Sequence, residues 1–235
     1  MYDEFAEIYD LIYSFLDYDK SVGMLKNLIE NYKLSSGNKL LDVGCGTGKH
    51  INFFKKDFPC TGVDISEKML DYAKEKTSNV RFIQADMINM DLKEKFDIIT
   101  CLFSSIGYVK TLENLRKTIK NFANHLNQGG ITIIEPWLRP SIFTPGLPSM
   151  ETYEDDNIKI ARLNVSRVEG NISSFVMHFL IAKRNEDVTY FKETHELGLF
   201  ETEQTKNFMK EAGFETIYLE EGLEVQRGLF IGIKK

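Results

Sequence analysis

A strand, a glycine-rich turn and a helix follow one another in KLLDVGCGTGKH, residues 39–50. The apolar run ends in Asp42, and three glycines follow at alternate positions before the helical segment INFFKKDF. A second apolar run, CTGVDIS, carries Asp64 at its end. A glycine-rich turn between a strand and a helix, with an acid at the end of the next strand, is typical of α/β sheets that bind a nucleoside. This segment therefore restricts the chain to an α/β fold.

The spacing of the glycines indicates which nucleoside is bound. A dinucleotide site has the pattern GxGxxG, which places a pyrophosphate at the helix N-terminus. Residues 42–48 read DxGxGxG instead, with Asp42 directly before the loop. A carboxylate there would repel a phosphate but would attract a cationic amino-acid group. S-adenosylmethionine (SAM) is a nucleoside that carries such a group, and we expect it to be the cofactor.

Apolar runs alternate with helical patterns through the first part of the chain. Residues 1–34 carry apolar side chains at helical spacing. Beyond them the pattern predicts strands at 39–43, 60–64, 80–84, 96–102 and 130–135, and helices at 48–57, 66–77 and 111–127. Short apolar strands between helices predict a doubly wound parallel sheet.

The pattern changes after residue 135. Residues 136–150 hold four of the five prolines and are predicted to form a loop. Residues 158–200 read as three strands separated by the turns EGN and RNED, which predicts an antiparallel meander. A helix over 202–213 and a closing hairpin over 215–234 complete the chain. We expect one domain over 1–235, in which 138–200 form an insertion that covers the substrate side.

Composition excludes several classes of function. The net charge is -6, and 43% of the residues are hydrophobic while 27% are charged. A nucleic-acid partner is not expected, because non-specific binding to phosphates depends on a basic surface. The apolar runs are too short to cross a bilayer, and the acidic start MYDEFAEIYD is unlike a signal peptide.

The cysteines and histidines indicate neither disulfides nor a metal. Three scattered cysteines in a chain without a signal peptide predict a reduced, cytoplasmic protein. His178 and His195 fall on adjacent predicted strands and could meet, but no carboxylate or cysteine joins them at metal-ligand spacing. No exposed apolar helix stands out, so we expect a monomer.

The strand ends predict the cofactor contacts. Gly44 and Gly46 allow the backbone to approach the ligand closely. Asp64 is expected to accept hydrogen bonds from the ribose hydroxyls, and Asp86 with Met87 is placed for the adenine. The remaining expected cofactor contacts are Tyr9, Asp42, Cys45, Ile65, Met69 and Leu102.

The order and spacing of these motifs over residues 38–135 resemble the class I SAM-dependent methyltransferases. The resemblance implies a Rossmann-like, seven-stranded sheet that ends in an antiparallel hairpin, which fits the hairpin predicted at 215–234. Further segments outside the general methyltransferase pattern are similar to N,N-dimethyltransferases of nucleotide-linked 3-amino-3,6-dideoxysugars, such as those that make desosamine and mycaminose. These segments are MYDEFAEIYDLIY, CLFSSIGYVK, IIEPWLRP, SFVMHF and RGLFIG.

This second resemblance implies transfer of a methyl group to the amino group of a dTDP-linked 3-amino-deoxysugar. Tyr108 and Tyr2 match positions close to the sugar amine. A free tyrosine has a pKa near 10, so we expect these phenols to orient the amine while its proton leaves to water. Arg227 matches a diphosphate contact, and the other expected substrate contacts are Glu135, Trp137 and His178.

Two departures from the resemblance lie on the substrate side. Leu138 stands where EPWW is common, and residues 14–21, SFLDYDKS, are shorter than the basic, glycine-containing stretch expected there. Two alternatives therefore stay open. One is a SAM-dependent methyltransferase of another small-molecule acceptor, and the other is a SAM-binding protein without catalysis.

Overall fold

A computed structural model describes residues 8–223 and 226–235. After a helical stretch at 8–12, the helices are α1 Tyr18–Tyr32, α2 Lys49–Phe54, α3 Glu67–Lys76, α4 Leu112–His125 and α5 Thr202–Glu211, and a 3₁₀ helix covers Ser105–Val109. The strands are β1 Leu40–Val43, β2 Cys60–Asp64, β3 Arg81–Gln84, β4 Phe96–Cys101, β5 Leu126–Ile134, β6 Pro148–Glu154, β7 Ile158–Glu169, β8 Ile172–Lys183, β9 Thr189–Gly198, β10 Phe214–Leu219 and β11 Leu229–Lys234.

The larger sheet has seven strands in the order β10-β11-β5-β4-β1-β2-β3. Strands β1 to β5 pair in parallel, whereas β11 runs antiparallel to both β5 and β10. The predicted α/β sheet with a closing hairpin is therefore confirmed. The strand order reverses between β1 and β4, and in open α/β sheets a ligand binds beyond the carboxyl ends of the strands at such a point.

Burial explains why the central strands form. Every residue of β1 and β4 is buried, which is typical of strands covered by helices on both faces. Gly62 in β2 permits the close packing of this layer, because a Cβ atom there would lie 2.7 Å from both Ile51 Cδ1 and Phe82 Cδ1. Ser66 begins α3 as its N-cap by accepting a hydrogen bond from the Met69 amide.

A smaller antiparallel sheet, β6-β7-β8-β9, lies between β5 and α5 in the chain. Its inner face packs on the helical stretch at 8–12 through Ile8, Ile12, Ile160, Met177, Phe179, Ile181 and Phe191. Its outer face leaves large apolar side chains exposed, including Met150, Leu163, Val165, Leu180 and Tyr190. The predicted meander is present, but it has four strands instead of three.

Three predicted boundaries were wrong. Part of the predicted loop at 136–150 belongs to β6, an edge strand that begins with a proline, as edge strands permit. The predicted helix over 1–34 is interrupted, because Asp17 caps a new helix by accepting from the Lys20 amide. The predicted helix at 111–127 ends at His125, and β5 begins at the next residue. Among the residues described, none of the helices is both long and apolar enough to cross a bilayer.

Candidate active site

The carboxyl ends of β1 and β4 open into a cleft of about 860 Å³ below the smaller sheet. One side of the cleft is formed by the loop after β1, residues 44–48, which we call the cofactor loop. The other side is formed by inward-facing residues of the smaller sheet, such as Phe175 and His195. The site is thus at the position that the strand order predicts for a ligand.

Asp42 brings a buried carboxyl group to the floor of this cleft. It is 2% exposed, and its Oδ1 accepts a hydrogen bond of 2.8 Å from the Thr100 hydroxyl. Burial raises the pKa of Asp42 to about 7, although the Thr100 hydrogen bond acts in the opposite direction. A carboxyl group held in this way gains from a cationic partner, because the partner's charge offsets the loss of hydration.

The cofactor loop leaves room for a ligand against its backbone. Gly44 has φ +71°, and a Cβ atom there would lie 2.6 Å from the Cβ of Ser105. Gly46 has φ +52° and no heavy atom within 4 Å of the place where its Cβ would be. Both conformations favour glycine. The open space beside Gly46 is where a ligand can approach the main chain.

Asp64 connects the loops after β1 and β2. Its Oδ2 accepts a hydrogen bond of 2.8 Å from the Gly46 amide, and its Oδ1 accepts one of 2.9 Å from the Ser66 amide. Burial raises the pKa of this carboxyl, whereas the backbone hydrogen bonds lower it. Each carboxylate oxygen can accept more than one hydrogen bond, so Asp64 retains capacity for the hydroxyls of a ribose.

The helical stretch at 8–12 is fixed to the cofactor loop by Asp10. This buried carboxylate accepts a hydrogen bond of 2.6 Å from the Thr47 hydroxyl and lies 3.4 Å from the Lys49 ammonium. Its neighbour Tyr9 lines the cleft, and burial raises the pKa of that phenol well above its usual value. The role of Asp10 was not predicted, because nothing in the neighbouring sequence indicates a partner 37 positions away.

Tyr108 and His195 meet on the substrate side of the cleft. The Tyr108 hydroxyl lies 2.8 Å from His195 Nδ1. The His195 ring stacks on Phe175 with centroids 5.6 Å apart, and Phe175 contacts Trp137 at 6.1 Å. Burial, together with the positive charge of Arg162, lowers the pKa of His195 to about 4. This group therefore combines one phenol, one neutral imidazole and aromatic walls.

Two arginines line the same cleft. Arg162 belongs to β7, and Arg227 lies in the loop before β11. Arg227 lies over the rings of Phe103 and Trp137, at 5.5 and 5.0 Å from their centroids. Arg162 is 7% exposed, and its Nη1 donates a hydrogen bond of 2.7 Å to the Tyr13 hydroxyl. Arg227 was expected here, whereas Arg162 and Tyr13 were not predicted, because they come from segments 149 positions apart.

Of the other residues expected at the cofactor, some line the cleft and others, Ile65, Met69 and Asp86, are not part of its lining. Cys45 and Leu102 line the cleft directly. Met87 Cε would lie 3.8 Å from a Cβ atom on Gly44, so its side chain is beside the cofactor loop. Ile65 is 68% exposed, Asp86 accepts from the Ile88 amide, and Met69 packs against the core of the smaller sheet.

Glu135 was expected to contact the substrate, but it is not among the residues that line the cleft and contacts the backbone instead. It is 1% exposed, and its Oε2 accepts a hydrogen bond of 2.6 Å from the Phe103 amide. Phe103 and Ser104 both have positive φ, which costs free energy for residues with side chains. Glu135 thus stabilises the turn that follows β4 at the edge of the cleft.

The remaining two expected substrate residues are Tyr2 and His178. Tyr2 lies outside the residues that the structure describes. His178 lies on the outer face of β8, where its Nδ1 is 2.8 Å from the Tyr190 hydroxyl. Side chains alternate across a strand, so His178 and Phe175 point to opposite faces. The placement of His178 at the substrate is corrected for this reason, and so is its possible meeting with His195.

The donor set fits an aminoacyl nucleoside. Asp42 could offer a carboxylate to an ammonium group, and Asp64 could offer acceptors to ribose hydroxyls. Gly46 leaves the main chain accessible, and Met87 and Leu102 supply apolar surface for a base. A dinucleotide would place a pyrophosphate beside two buried carboxyl groups, which is unfavourable.

Comparisons with known proteins agree with this geometry. Residues 40–130 match the model of a family described as a methyltransferase domain. The chain is 35% identical over 237 residues to dTDP-3-amino-3,4,6-trideoxy-alpha-D-glucopyranose N,N-dimethyltransferase of Streptomyces venezuelae, covering 99% of each chain.

Solved structures give the same result. The crystal structure of Streptomyces venezuelae DesVI superposes with a TM-score of 0.92 at 34% identity, covering 98% of both chains. SAM-bound CalS10, an amino pentose methyltransferase from Micromonospora echinaspora, superposes with a TM-score of 0.87 at 27% identity, covering 97% of both chains. The chain therefore belongs to the SAM-dependent methyltransferase family that contains these sugar N-methyltransferases.

Proposed function

We propose that the protein transfers a methyl group from SAM to the amino group of a dTDP-linked 3-amino-deoxysugar. One observation carries this proposal. The cleft beside the cofactor loop places a polar Tyr108–His195 pair, an aromatic wall at Trp137 and the two arginines Arg162 and Arg227 around a single space. The polar pair suits a sugar amine, the aromatic wall suits a sugar ring, and the two arginines suit a diphosphate.

SAM supplies a methyl group on a positively charged sulfur with a neutral leaving group. The protein must hold a neutral amine about 3 Å from that methyl group and in line with the bond that breaks. Tyr108 is suited to orient the amine, because its helix is fixed to the cofactor loop by a 3.3 Å hydrogen bond from the Ser105 hydroxyl to the Gly44 carbonyl. Tyr2 stays a predicted second contact to the sugar.

The two arginines are suited to a diphosphate. Arg227 is only half-buried over Phe103 and Trp137, so its guanidinium retains hydrogen-bond donors for phosphate oxygens. Arg162 adds a second positive charge, and its buried Nε has no hydrogen-bond acceptor among the residues that the structure describes. Arg162 Nη2 lies 3.9 Å from Glu151 Oε1, which offsets part of its charge, and Arg227 is the more exposed cation of the cleft. Two arginines at one cleft favour an anionic acceptor molecule.

A nucleotide-binding experiment tests the proposal. A ligand that binds only the folded state raises the melting temperature according to its concentration and dissociation constant. We expect thymidine diphosphate to raise the melting temperature of the SAM-saturated protein further. Arg227→Ala should remove that second increase and preserve the first. Arg167→Ala is the matched control, since Arg167 is an exposed arginine on β7 away from the cleft.

The other functional hypotheses predict different outcomes of the same experiment. A response to SAM without any response to millimolar thymidine diphosphate would contradict the sugar-nucleotide substrate and favour another small-molecule acceptor. Tight SAM binding with a nucleotide response, but no methylated product from any dTDP-amino sugar, would favour a binding protein without catalysis. Product analysis by mass spectrometry distinguishes this last case.

A further inference from the structure

His195 contacts the phenol that is expected at the reacting amine. Its Nδ1 lies 2.8 Å from the Tyr108 hydroxyl across 87 positions of sequence. A neutral imidazole has one protonated nitrogen and one nitrogen that accepts a hydrogen bond. The tautomer of His195 therefore decides whether the phenol donates its proton to the ring or accepts one from it.

The surroundings hold His195 in place. Its ring stacks on Phe175 with an interplanar angle of 26°. The 3₁₀ helix that carries Tyr108 approaches β9 closely, because a Cβ atom on Gly107 would lie 2.8 Å from Leu197 Cδ2. Burial and the nearby Arg162 guanidinium lower the pKa of His195 to about 4, so the ring is neutral at physiological pH. It adds no positive charge beside an amine that must attack a cation.

We propose that His195 is a positioning residue that accepts the Tyr108 hydroxyl proton and so directs the phenol oxygen to accept an N–H of the substrate amine. The inference rests on the proposed function. With the O–H committed to His195 Nδ1, the phenol oxygen presents its lone pairs to the cleft. The amine then donates one N–H to this oxygen, and its own lone pair is directed away from Tyr108.

The chemistry of the transfer needs no further group. The amine lone pair forms the N–C bond while the C–S bond breaks, and the electron pair of that bond goes to sulfur. The product ammonium keeps one N–H on the Tyr108 oxygen and loses a proton to water. His195 does not store that proton, because an imidazole that is hard to protonate is a poor acceptor from an ammonium group.

Kinetics of paired variants test this inference. Tyr108→Phe and His195→Phe each remove one partner, and the phenyl ring in the second variant can still stack on Phe175. We expect each to lower kcat about tenfold, the size expected for one hydrogen bond in the transition state. The double variant should be no slower than either single variant, because the two residues act as one unit.

Conservative and control variants separate positioning from a structural role. His195→Asn places an amide near the position of Nδ1 and should recover most of kcat. His178→Phe is the matched control, because His178 makes the same contact with a tyrosine on the outer face of the same sheet, at 2.8 Å. We expect His178→Phe to leave kcat unchanged. Additive losses in the double variant, or a loss of SAM affinity in His195→Phe, would overturn the inference.

A spectroscopic readout works without substrate. Nitrogen NMR of histidine-labelled wild-type protein should show His195 as the tautomer protonated on Nε2, and Tyr108→Phe should shift its Nδ1 signal. A signal from protonated Nδ1 would refute the inference even if the enzyme methylates amino sugars. Absence of methyl transfer to every dTDP-amino sugar, with the expected Nδ1 signal, would refute the proposed function and not the Tyr108–His195 contact.

Discussion

At the scale of single residues, Asp42 is a carboxyl group whose burial disfavours its charged form. Burial raises its pKa from the ordinary 3.8 to about 7. Between these pH values the folded protein keeps a proton that the unfolded chain releases. The free energy of unfolding that depends on Asp42 therefore falls as the pH rises through this window, and the full cost is present above about pH 7.

Asp42→Asn should remove this cost. Without SAM, we expect the variant to melt a few degrees above the parent at pH 8, given that 1 kcal/mol shifts the melting temperature by about 2–4 °C in a chain of this size. The difference should shrink at pH 5, where Asp42 is protonated in the folded parent. Scanning calorimetry at both pH values measures this. His50 and His195, whose pKa values burial lowers to about 4, affect parent and variant alike.

The same substitution should weaken SAM binding, because the amide cannot balance the charge of the amino-acid group. A variant that is more stable at pH 8 and still binds SAM as tightly as the parent would contradict the assignment of Asp42 to that group. A variant that is less stable at pH 8 would contradict the buried, unpaired state of the carboxyl.

Asp64→Ala should lower SAM affinity at least tenfold, since the ribose and two loop amides lose their acceptor and each such loss costs about 1–3 kcal/mol. Isothermal titration measures the affinity, and circular dichroism checks that the fold is intact. Asp71→Ala is the control, because Asp71 is an exposed acid on α3 that pairs with Lys74. Unchanged affinity in Asp64→Ala would show that the ribose binds elsewhere.

The expected cofactor residues could be grouped from the sequence because their signal is local. Asp42 lies in β1 just before the glycine-rich turn, and Asp64 ends the next strand. The partners of the substrate side come from distant segments. Arg162 and His195 sit on strands of the smaller sheet, and only the folded chain brings them to Tyr13 and Tyr108. Polar and apolar periodicity contains no information about such pairs.

At the scale of elements, tight packing of the first strand–helix–strand unit gives a second stability test. Gly62→Ala would place a Cβ atom 2.7 Å from side-chain atoms of Ile51 and Phe82, both of which are held by neighbouring core residues. We expect a cost of about 1–3 kcal/mol from overpacking. Urea unfolding followed by circular dichroism measures it.

Gly23→Ala is the matched control. Gly23 lies within α1, and no heavy atom is within 4 Å of its added Cβ. Alanine there should raise the free energy of unfolding by roughly 0.5–1 kcal/mol, because glycine is a poor helix former. Equal effects of the two substitutions would contradict the packing argument.

Elements with strong periodicity were predicted correctly, whereas interrupted ones were not. The alternate strands and helices of the larger sheet have clear apolar patterns. Strand β6 was not predicted because it is an edge strand without a buried residue and because it starts in a proline-rich stretch. The break before α1 depends on the cap at Asp17, which a pattern of apolar residues does not reveal.

At the scale of the whole molecule, a side chain of the larger unit packs against the core of the smaller sheet. Ile8, Ile12 and Met69 pack with the inner face of the smaller sheet, although Met69 belongs to α3 of the larger unit. We therefore expect residues 1–235 to unfold in one transition, as predicted for a single domain with an insertion. Calorimetry checks this through the ratio of calorimetric to van't Hoff enthalpy. Two separate transitions would contradict the prediction.

The prediction of a monomer considered only whether an apolar helix is exposed. The smaller sheet presents a different surface that could mediate association. Its outer face exposes apolar residues such as Met150, Leu163 and Leu180. A monomer stays our prediction, and sedimentation velocity over a range of concentrations measures it. A mass that doubles as the concentration rises would contradict it and would make this face the candidate dimer interface.

The helical stretch at 8–12 touches both sides of the cleft. Ile8 and Ile12 contact the smaller sheet, and Asp10 contacts the cofactor loop at Thr47. A ligand that orders either side of the cleft therefore also orders the helical stretch at 8–12, which packs against the other side. The methyl donor and the acceptor molecule should consequently bind with positive cooperativity, and thermodynamic reciprocity requires each to strengthen the other by the same factor.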